Sequence, residues 1–336
     1  MIPKASAPRQ QAPQWQHELR EAYSRPEELL AALGLPALPA LAANRLRGFP
    51  LRVPRSYVAR MRPGDPEDPL FLQVWPAALE QEDAPGFVLD AVGDLHKLRG
   101  GGLIHKYHGR ALVIATGACA VHCRYCFRRH FPYGEQLGAR DHWRQALETI
   151  AADPSIEEVI LSGGDPLSLS DDKLAEFARG LDAIAHVRRL RLHTRQPIVL
   201  PSRVDERLLD WLDASRLQKV FVLHANHANE LDERVRDAIR PLRERGITLL
   251  NQAVLLRRIN DSSAALADLS EKLLECGILP YYLHLLDRVA GAAHFLVDDA
   301  EATSLMRELS ARLPGYLIPR LVREEPGATS KTWIAW

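Results

Sequence analysis

The stretch ALVIATGACAVHCRYCFRRHF, residues 111–131, decides how the rest of the chain is read. Its first six residues are apolar or β-branched and suit a buried strand. They run almost directly into Cys119, Cys123 and Cys126, and the chain holds only one other cysteine, Cys276. A closed cluster or a structural zinc site takes four protein ligands, so three thiolates on one short loop leave a metal corner free for another molecule. The tight spacing, with no second cysteine pair, favours an iron–sulfur cluster. The alternatives are a zinc site completed by His122, His130 or Cys276, and a grouping of buried thiols, since cysteine prefers interiors.

Downstream, five more short runs follow the first: EEVILS (157–162), RRLRLH (188–193), KVFVLH (219–224), ITLLNQAVLL (247–256) and LPYYLHLL (279–286). Helical patterns separate them at intervals of about 30 residues, the length of a βαβ repeat. The spacing predicts an α/β fold, a partial (β/α)6 TIM-like barrel. Nearly every run ends in polar residues: Cys119, then Gly163, Gly164 and Asp165, then His193 and Arg195. His224, Asn226 and His227 follow, then Asn251 and Gln252, and last His284 and Asp287. Barrel enzymes carry their chemistry at the carboxyl ends of the strands, so one rim should gather these around the cysteines.

Residues 1–100 read as an N-terminal helical and irregular accessory segment, and 101–336 as the barrel with a C-terminal lysine loop. Residues 1 to about 16 are rich in Pro, Gln and Ala and read as a flexible start. WQHELREAY and PEELLAAL read as helices, the second opened by a proline suited to a first turn. The proline-rich run at 49–69 is expected to cross the surface. Lys plus Arg equals Asp plus Glu at 43 each, which gives no general pull toward nucleic acid or anionic membrane. No stretch approaches the roughly 18 apolar residues of a membrane span, and no secretion signal is present. A cytoplasmic protein is expected, in a compartment where thiols ligate metal.

Two further runs carry chemistry. LSGGDPL (161–167) puts two glycines after a strand, which serves either a plain turn or the approach of a ligand to the backbone. EEPGATSKTW (324–333) presents Lys331 on a loop. Most such lysines are solvated charges, but one placed in a site can form a Schiff base.

The spacing C-x3-C-x2-C, with Tyr125 before the last cysteine, resembles the signature of the radical S-adenosylmethionine (SAM) enzymes. That resemblance implies a 4Fe–4S cluster on Cys119, Cys123 and Cys126. SAM would chelate the fourth iron and be cleaved to a 5′-deoxyadenosyl radical, with Tyr125 near the adenine. Gly163, Gly164 and Asp165 would meet the SAM amino group, and Arg195, His224 and Gln252 would make further SAM contacts.

Over about residues 50–336 the chain is similar to the lysine 2,3-aminomutase family. The runs that carry the likeness are KYHGRALVIATGAC, CRYCFRRHF, LSGGDPL, RQPIVLPSRV, LHANHANE, NQAVLL, LPYYLHLLD with GAAHF, and PGATSKT. This resemblance implies an isomerase that adds pyridoxal 5′-phosphate to the radical machinery. Lys331 would hold that cofactor as a Schiff base, with Tyr107 and Arg110 helping to seat it. Arg128 would bind the substrate carboxylate by its planar fork, and Asp287 the distal ammonium of lysine. Glu324 stands where the lysine enzymes carry a second aspartate, which alters that grip. The lysine loop lacks the long glycine run of those enzymes, and the chain stops five residues after Lys331 without their cysteine-bearing extension, which leaves Cys276 a lone buried thiol.

These departures resemble the branch that makes (R)-β-lysine for modification of elongation factor P. The branch implies a functional link to elongation factor P and its lysyl ligase, an electron donor such as flavodoxin or ferredoxin, and a homo-oligomer. Two rival readings remain: the same machinery acting on another amino acid or a protein-bound lysine, and a non-catalytic metal-binding module.

Overall fold

Burial alternates along the strand RLRLHT, and the alternation sets its two faces. Leu190, Leu192 and Thr194 are buried while Arg191 and His193 are less so. One face of this strand is apolar and joins the main core; the other carries a guanidinium and an imidazole. A computed structural model describes residues 12–42, 46, 48–134, 137 and 143–336 of the chain. Its nine strands form one sheet in sequence order: β1 (Leu103–Tyr107), β2 (Arg110–Thr116), β3 (Glu158–Gly163), β4 (Arg189–Thr194), β5 (Gln218–Leu223), β6 (Thr248–Val254), β7 (Leu279–His284), β8 (Arg320–Arg323) and β9 (Thr332–Trp333). Strands β2 to β8 are parallel; β1 and β9 are the antiparallel edges, so the barrel stays open.

At the N-terminus lie helices α1 (Gln14–Arg20) and α2 (Pro26–Leu33). A helix then covers each parallel step: α3 (Arg144–Ala152), α4 (Asp171–Asp182), α5 (Glu206–Ala214), α6 (Glu233–Glu244), α7 (Ser263–Glu275) and α8 (Asp299–Arg312). Four of them open on a side-chain cap, Asp205, Asp232, Ser262 and Asp298, each accepting an N–H from the first turn. Helix faces such as Phe177, Leu212, Ile239, Leu273 and Leu309 meet the outer strand faces in one apolar layer.

All six strands read from the sequence are present, and three more extend the sheet. The added ones are short or polar, LIHKY, RLVR and TW, which hides them from an apolar-run criterion. The N-terminal segment pairs with the loop after β7: Val88 N–H donates to Arg288 O and Ala290 N–H to Val88 O, both at 2.9 Å.

Two N-terminal expectations need correction. The flexible start falls mostly outside the described residues, but its last three already belong to α1, with Trp15 only 2 % exposed. The run at 49–69 is superficial only in part, chiefly over 62–67, because Leu51, Val53, Tyr57, Val58 and Met61 are buried. They pack in a cluster that includes Ala120 and Val121 of the cysteine loop and Val199 and Leu200 beyond β4. Pro54 and Pro69 are buried, while Pro50, Pro63 and Pro66 are exposed, so only part of the run keeps to the surface.

Candidate active site

Inward-facing strand residues and the loops at their carboxyl ends enclose a cavity of about 520 Å³, within the roughly 300–1,000 Å³ of ligand sites. All sixteen residues to which the resemblance gives a cluster, cofactor or substrate role line it.

Cys119, Cys123 and Cys126 lie on the loop after β2. A buried carboxylate from the N-terminal segment pins that loop. Glu80 accepts Arg124 Nε at 2.7 Å, Arg124 Nη2 at 2.6 Å and Arg129 Nη2 at 2.5 Å, and Arg124 also donates to Phe49 O at 2.9 Å. Burial, Asp165 and the neighbouring sulfurs push the Cys119 thiol well above its usual range; burial and Cys123 push Cys126 up to about 11. Three thiolates so close therefore need a positively charged core between them, and the residues fit an iron–sulfur cluster.

The zinc alternatives lose their fourth ligand. His122 Nδ1 is held by Pro50 O at 2.8 Å and its ring stacks on Phe49. His130 Nε2 is held by Ala290 O at 3.1 Å, and Cys276 is buried at the end of α7. Among the described residues no three His, Cys, Asp or Glu side chains gather as a single ion would require.

Beside the thiols, Gly163 and Gly164 are packed against the cysteine loop itself. A Cβ on Gly164 would stand 2.4 Å from Ala118 O, and one on Gly163, at φ +125°, 2.6 Å from Thr116 O. The missing side chains thus admit the loop's backbone, where the sequence suggested a plain turn or room for a ligand. Both carboxylate oxygens of Asp165 are engaged: Oδ1 accepts Leu167 N–H at 3.0 Å and the Thr194 hydroxyl at 2.7 Å, and Oδ2 accepts the N–H groups of Arg195 (2.8 Å) and Gln196 (3.0 Å). Asp165 fastens the end of β4 to the end of β3.

Arg195 then reaches across the cavity wall. It donates to Cys123 Sγ (2.9 Å), Gln73 Oε1 (2.7 Å), Glu230 Oε2 (2.8 Å), Tyr57 OH (3.1 Å) and the Tyr125 hydroxyl. Asn226 Nδ2 donates to Tyr125 OH at 2.6 Å, which fixes that ring between two cysteines. His224 and Gln252 line the same wall, and each has one buried polar atom without a partner, Nε2 and Oε1. Burial, then Arg195, Arg128 and Lys331, push His224 down to about 3, so its imidazole is neutral.

Lys331 lines the same cavity. Its Nζ meets Glu324 Oε2 at 2.5 Å and stands 5.8 Å from the centre of the Tyr282 ring. Glu324 also accepts the Tyr107 hydroxyl at 2.7 Å and faces Lys106 at 3.5 Å. Burial alone would raise Glu324, but Lys331, the two hydrogen bonds and Lys106 together pull it to about 2. Asp287 goes the other way: burial, with Glu324 and Asp94 adding, lifts it to about 7 against Lys331 and Lys106. Arg110 stacks over the Tyr107 ring, 4.8 Å from its centre. Arg128 donates to Asp94 Oδ2 at 2.7 Å and Ser162 Oγ at 2.9 Å.

Sequence reasoning missed Asp94, Lys106, Gln73, Tyr57, Glu80 and Glu230. All but Lys106 lie far along the chain from the groups they serve, so no local pattern marks them; Lys106 was visible only as the neighbour of Tyr107. Asp94 and Val92 bring the N-terminal hundred residues into the cavity wall. Two strand-end residues point elsewhere. Asn251 bonds both backbone groups of Ala225, and His227 accepts Asn229 N–H as a helix cap.

Residues 113–269 match the Radical SAM superfamily. The chain is 50% identical to the L-lysine 2,3-aminomutase of Escherichia coli (strain K12) over 95% of its own length and 93% of the relative's. It is 47% identical to the Haemophilus influenzae protein of that name, covering 96% and 95%, and 32% identical to that of Clostridium subterminale, covering 86% and 70%. With identity at this level along nearly the whole of both chains, the protein belongs to the L-lysine 2,3-aminomutase family within the Radical SAM superfamily.

Proposed function

We propose that the protein is an L-lysine 2,3-aminomutase that moves the α-amino group of L-lysine to C3, giving β-lysine in its R form for attachment to elongation factor P by a lysyl ligase. One observation carries the reading: the three thiols, Arg128, Asp287, Glu324 and Lys331 share a single cavity. Identity of 50% and 47% to two proteins named L-lysine 2,3-aminomutase supports the activity, and Glu324 with the short lysine loop supports the branch.

Held by the three thiolates, a cluster with SAM would supply a carbon radical, and pyridoxal phosphate on Lys331 would supply an extended π-system. The chain's own residues do the rest. Arg128, held in plane by Asp94 and Ser162, keeps guanidinium donors for the substrate carboxylate. Asp287 and Glu324 take the distal ammonium. Because Lys331 Nζ is engaged by Glu324 Oε2, that pair must open before Nζ can act as a nucleophile. Gly163, Gly164, Arg195, His224, Gln252 and Tyr125 form the wall for SAM, and Tyr107 and Arg110 the seat for pyridoxal phosphate. The walls exclude water from a reactive radical.

The reading also carries a flavodoxin- or ferredoxin-type donor, a homo-oligomer, a cytoplasmic location, and a division at about residue 100 into accessory segment and catalytic barrel. Among the described residues no helix is long and apolar enough to cross a membrane.

Anaerobically reconstituted protein is assayed with SAM, pyridoxal phosphate and a reductant against lysine, other amino acids and elongation factor P, with product chirality read by chromatography. Lysine conversion to (R)-β-lysine is the expected result. Lys331→Ala should lose at least a thousandfold in aminomutation and all Schiff-base absorbance while keeping its iron. Turnover of a different amino acid or of protein-bound lysine would replace the substrate assignment, and undiminished activity of Lys331→Ala would remove Lys331 from the mechanism.

A further inference from the structure

Four consecutive strand ends carry polar atoms that the fold leaves without a partner. The Nε2 atoms of His193 (β4), His224 (after β5) and His284 (β7), and Oε1 of Gln252 (β6), are buried and form no hydrogen bond among the described residues. All four residues line the cavity, and His284 is only 4 % exposed. An unpaired buried polar atom costs about 1–3 kcal/mol, so a row of them on one wall marks a surface completed by a ligand.

The surroundings say what charge that ligand carries. Burial and then the nearby cations hold the imidazoles neutral: Arg191 faces His193, Lys331 faces all three, and Arg128 faces His193 and His224. The rings of His193 and His224 lie 5.8 Å apart. Of the carboxylates nearby, Glu158 pairs with Arg191, Glu324 with Lys331 and Tyr107, and Asp94 with Lys106 and Arg128, while burial lifts Asp287 to about 7. Unpartnered nitrogens of neutral imidazoles, beside the guanidinium and ammonium groups of Arg191, Arg128 and Lys331, suit an anionic oxygen ligand. Lys331 lines the same cavity and acts on all three imidazoles, so a group bonded to its Nζ shares the cavity with this arc.

We propose that the imidazoles of His193 and His284 are hydrogen-bond partners for the phosphate ester of the pyridoxal cofactor, an assignment that rests on the function proposed above and extends it to residues for which that reading gives no role. His224 and Gln252, between them in the arc, remain on the SAM side.

Iron-loaded wild-type protein, His193→Phe and His284→Phe are compared by equilibrium dialysis against pyridoxal phosphate, against pyridoxal, which lacks the phosphate, and against SAM. Phenylalanine keeps the ring volume and removes both nitrogens; His193→Gln and His284→Gln restore a donor. Each Phe variant should bind pyridoxal phosphate at least tenfold more weakly, bind pyridoxal and SAM within twofold of wild type, and hold the same iron, with partial recovery in the Gln variants. Equal weakening toward pyridoxal and its phosphate would place the imidazoles on the ring or in the fold, and weakening toward SAM alone would give the arc to SAM. Either result overturns the proposal, as does undiminished phosphate binding. If wild-type protein itself fails to bind pyridoxal phosphate, the aminomutase reading falls with it.

Discussion

Asp287 and Glu324 are two carboxylates near one lysine, and their surroundings drive them apart. Glu324 accepts hydrogen bonds from Lys331 and Tyr107 and stays ionised down to about pH 2; Asp287 accepts none of these and titrates near 7. Divergence of this kind separates a fixed charge from one that can take a proton. Binding a substrate ammonium requires Asp287 in its charged form, which is the minor form below pH 7. The expected outcome is a kcat/KM for lysine that is level above about pH 7.5 and falls about tenfold per pH unit below 7, since this ratio reports groups of the free enzyme. Asp287→Asn should flatten that acid limb and lower kcat/KM by at least about 30-fold, the equivalent of about 2 kcal/mol for losing one partner of a buried charge pair. An unchanged acid limb in Asp287→Asn would assign the titration to another group.

Among the elements, the turn after β3 shows how far a sequence pattern reaches. Six strands and the clustering of polar residues at their ends are legible, because alternating or continuous apolar runs and their spacing are local properties. The charge-bearing partners are not: Asp94 serves Arg128 from 34 residues away, and Glu230 serves Arg195 from 35. The Gly163–Gly164 pair was legible as a special backbone site, but its reason was not, since the neighbour that needs the space is the cysteine loop and becomes a neighbour only through the β2–β3 pairing. Gly164→Ala tests that reason. Its Cβ would meet Ala118 O at 2.4 Å, and the obstacle is backbone, so the cysteine loop must shift. The change should cost about 1–3 kcal/mol and reduce iron retained after anaerobic reconstitution to less than half of wild type, read by iron and sulfide analysis. Full cluster loading in Gly164→Ala would show the contact to be slack.

For the whole molecule, the open barrel leaves the cysteine loop without a flanking helix on one side, and the N-terminal segment takes that place. Trp15 anchors the cover: its ring lies 4.7 Å beneath the Arg203 guanidinium, which in turn holds Leu167 O and Asp171 at 2.7 Å and so ties down the loop after the glycines. The same apolar cluster contains Ala120 and Val121 from between the cysteines, so loosening the segment uncovers the metal-binding loop. Trp15→Ala should cost about 3–5 kcal/mol, and the reconstituted cluster should bleach several-fold faster in air. Phe177→Ala separates protection from stability. That side chain is fully buried, yet it belongs to the helix–sheet layer on the far side of the strands, packed on Trp143. It should lower the melting temperature by a similar amount while leaving the bleaching rate near wild type. Should both variants bleach at one rate, the N-terminal segment would serve general stability, and the shield over the cluster would have to come from elsewhere in the fold.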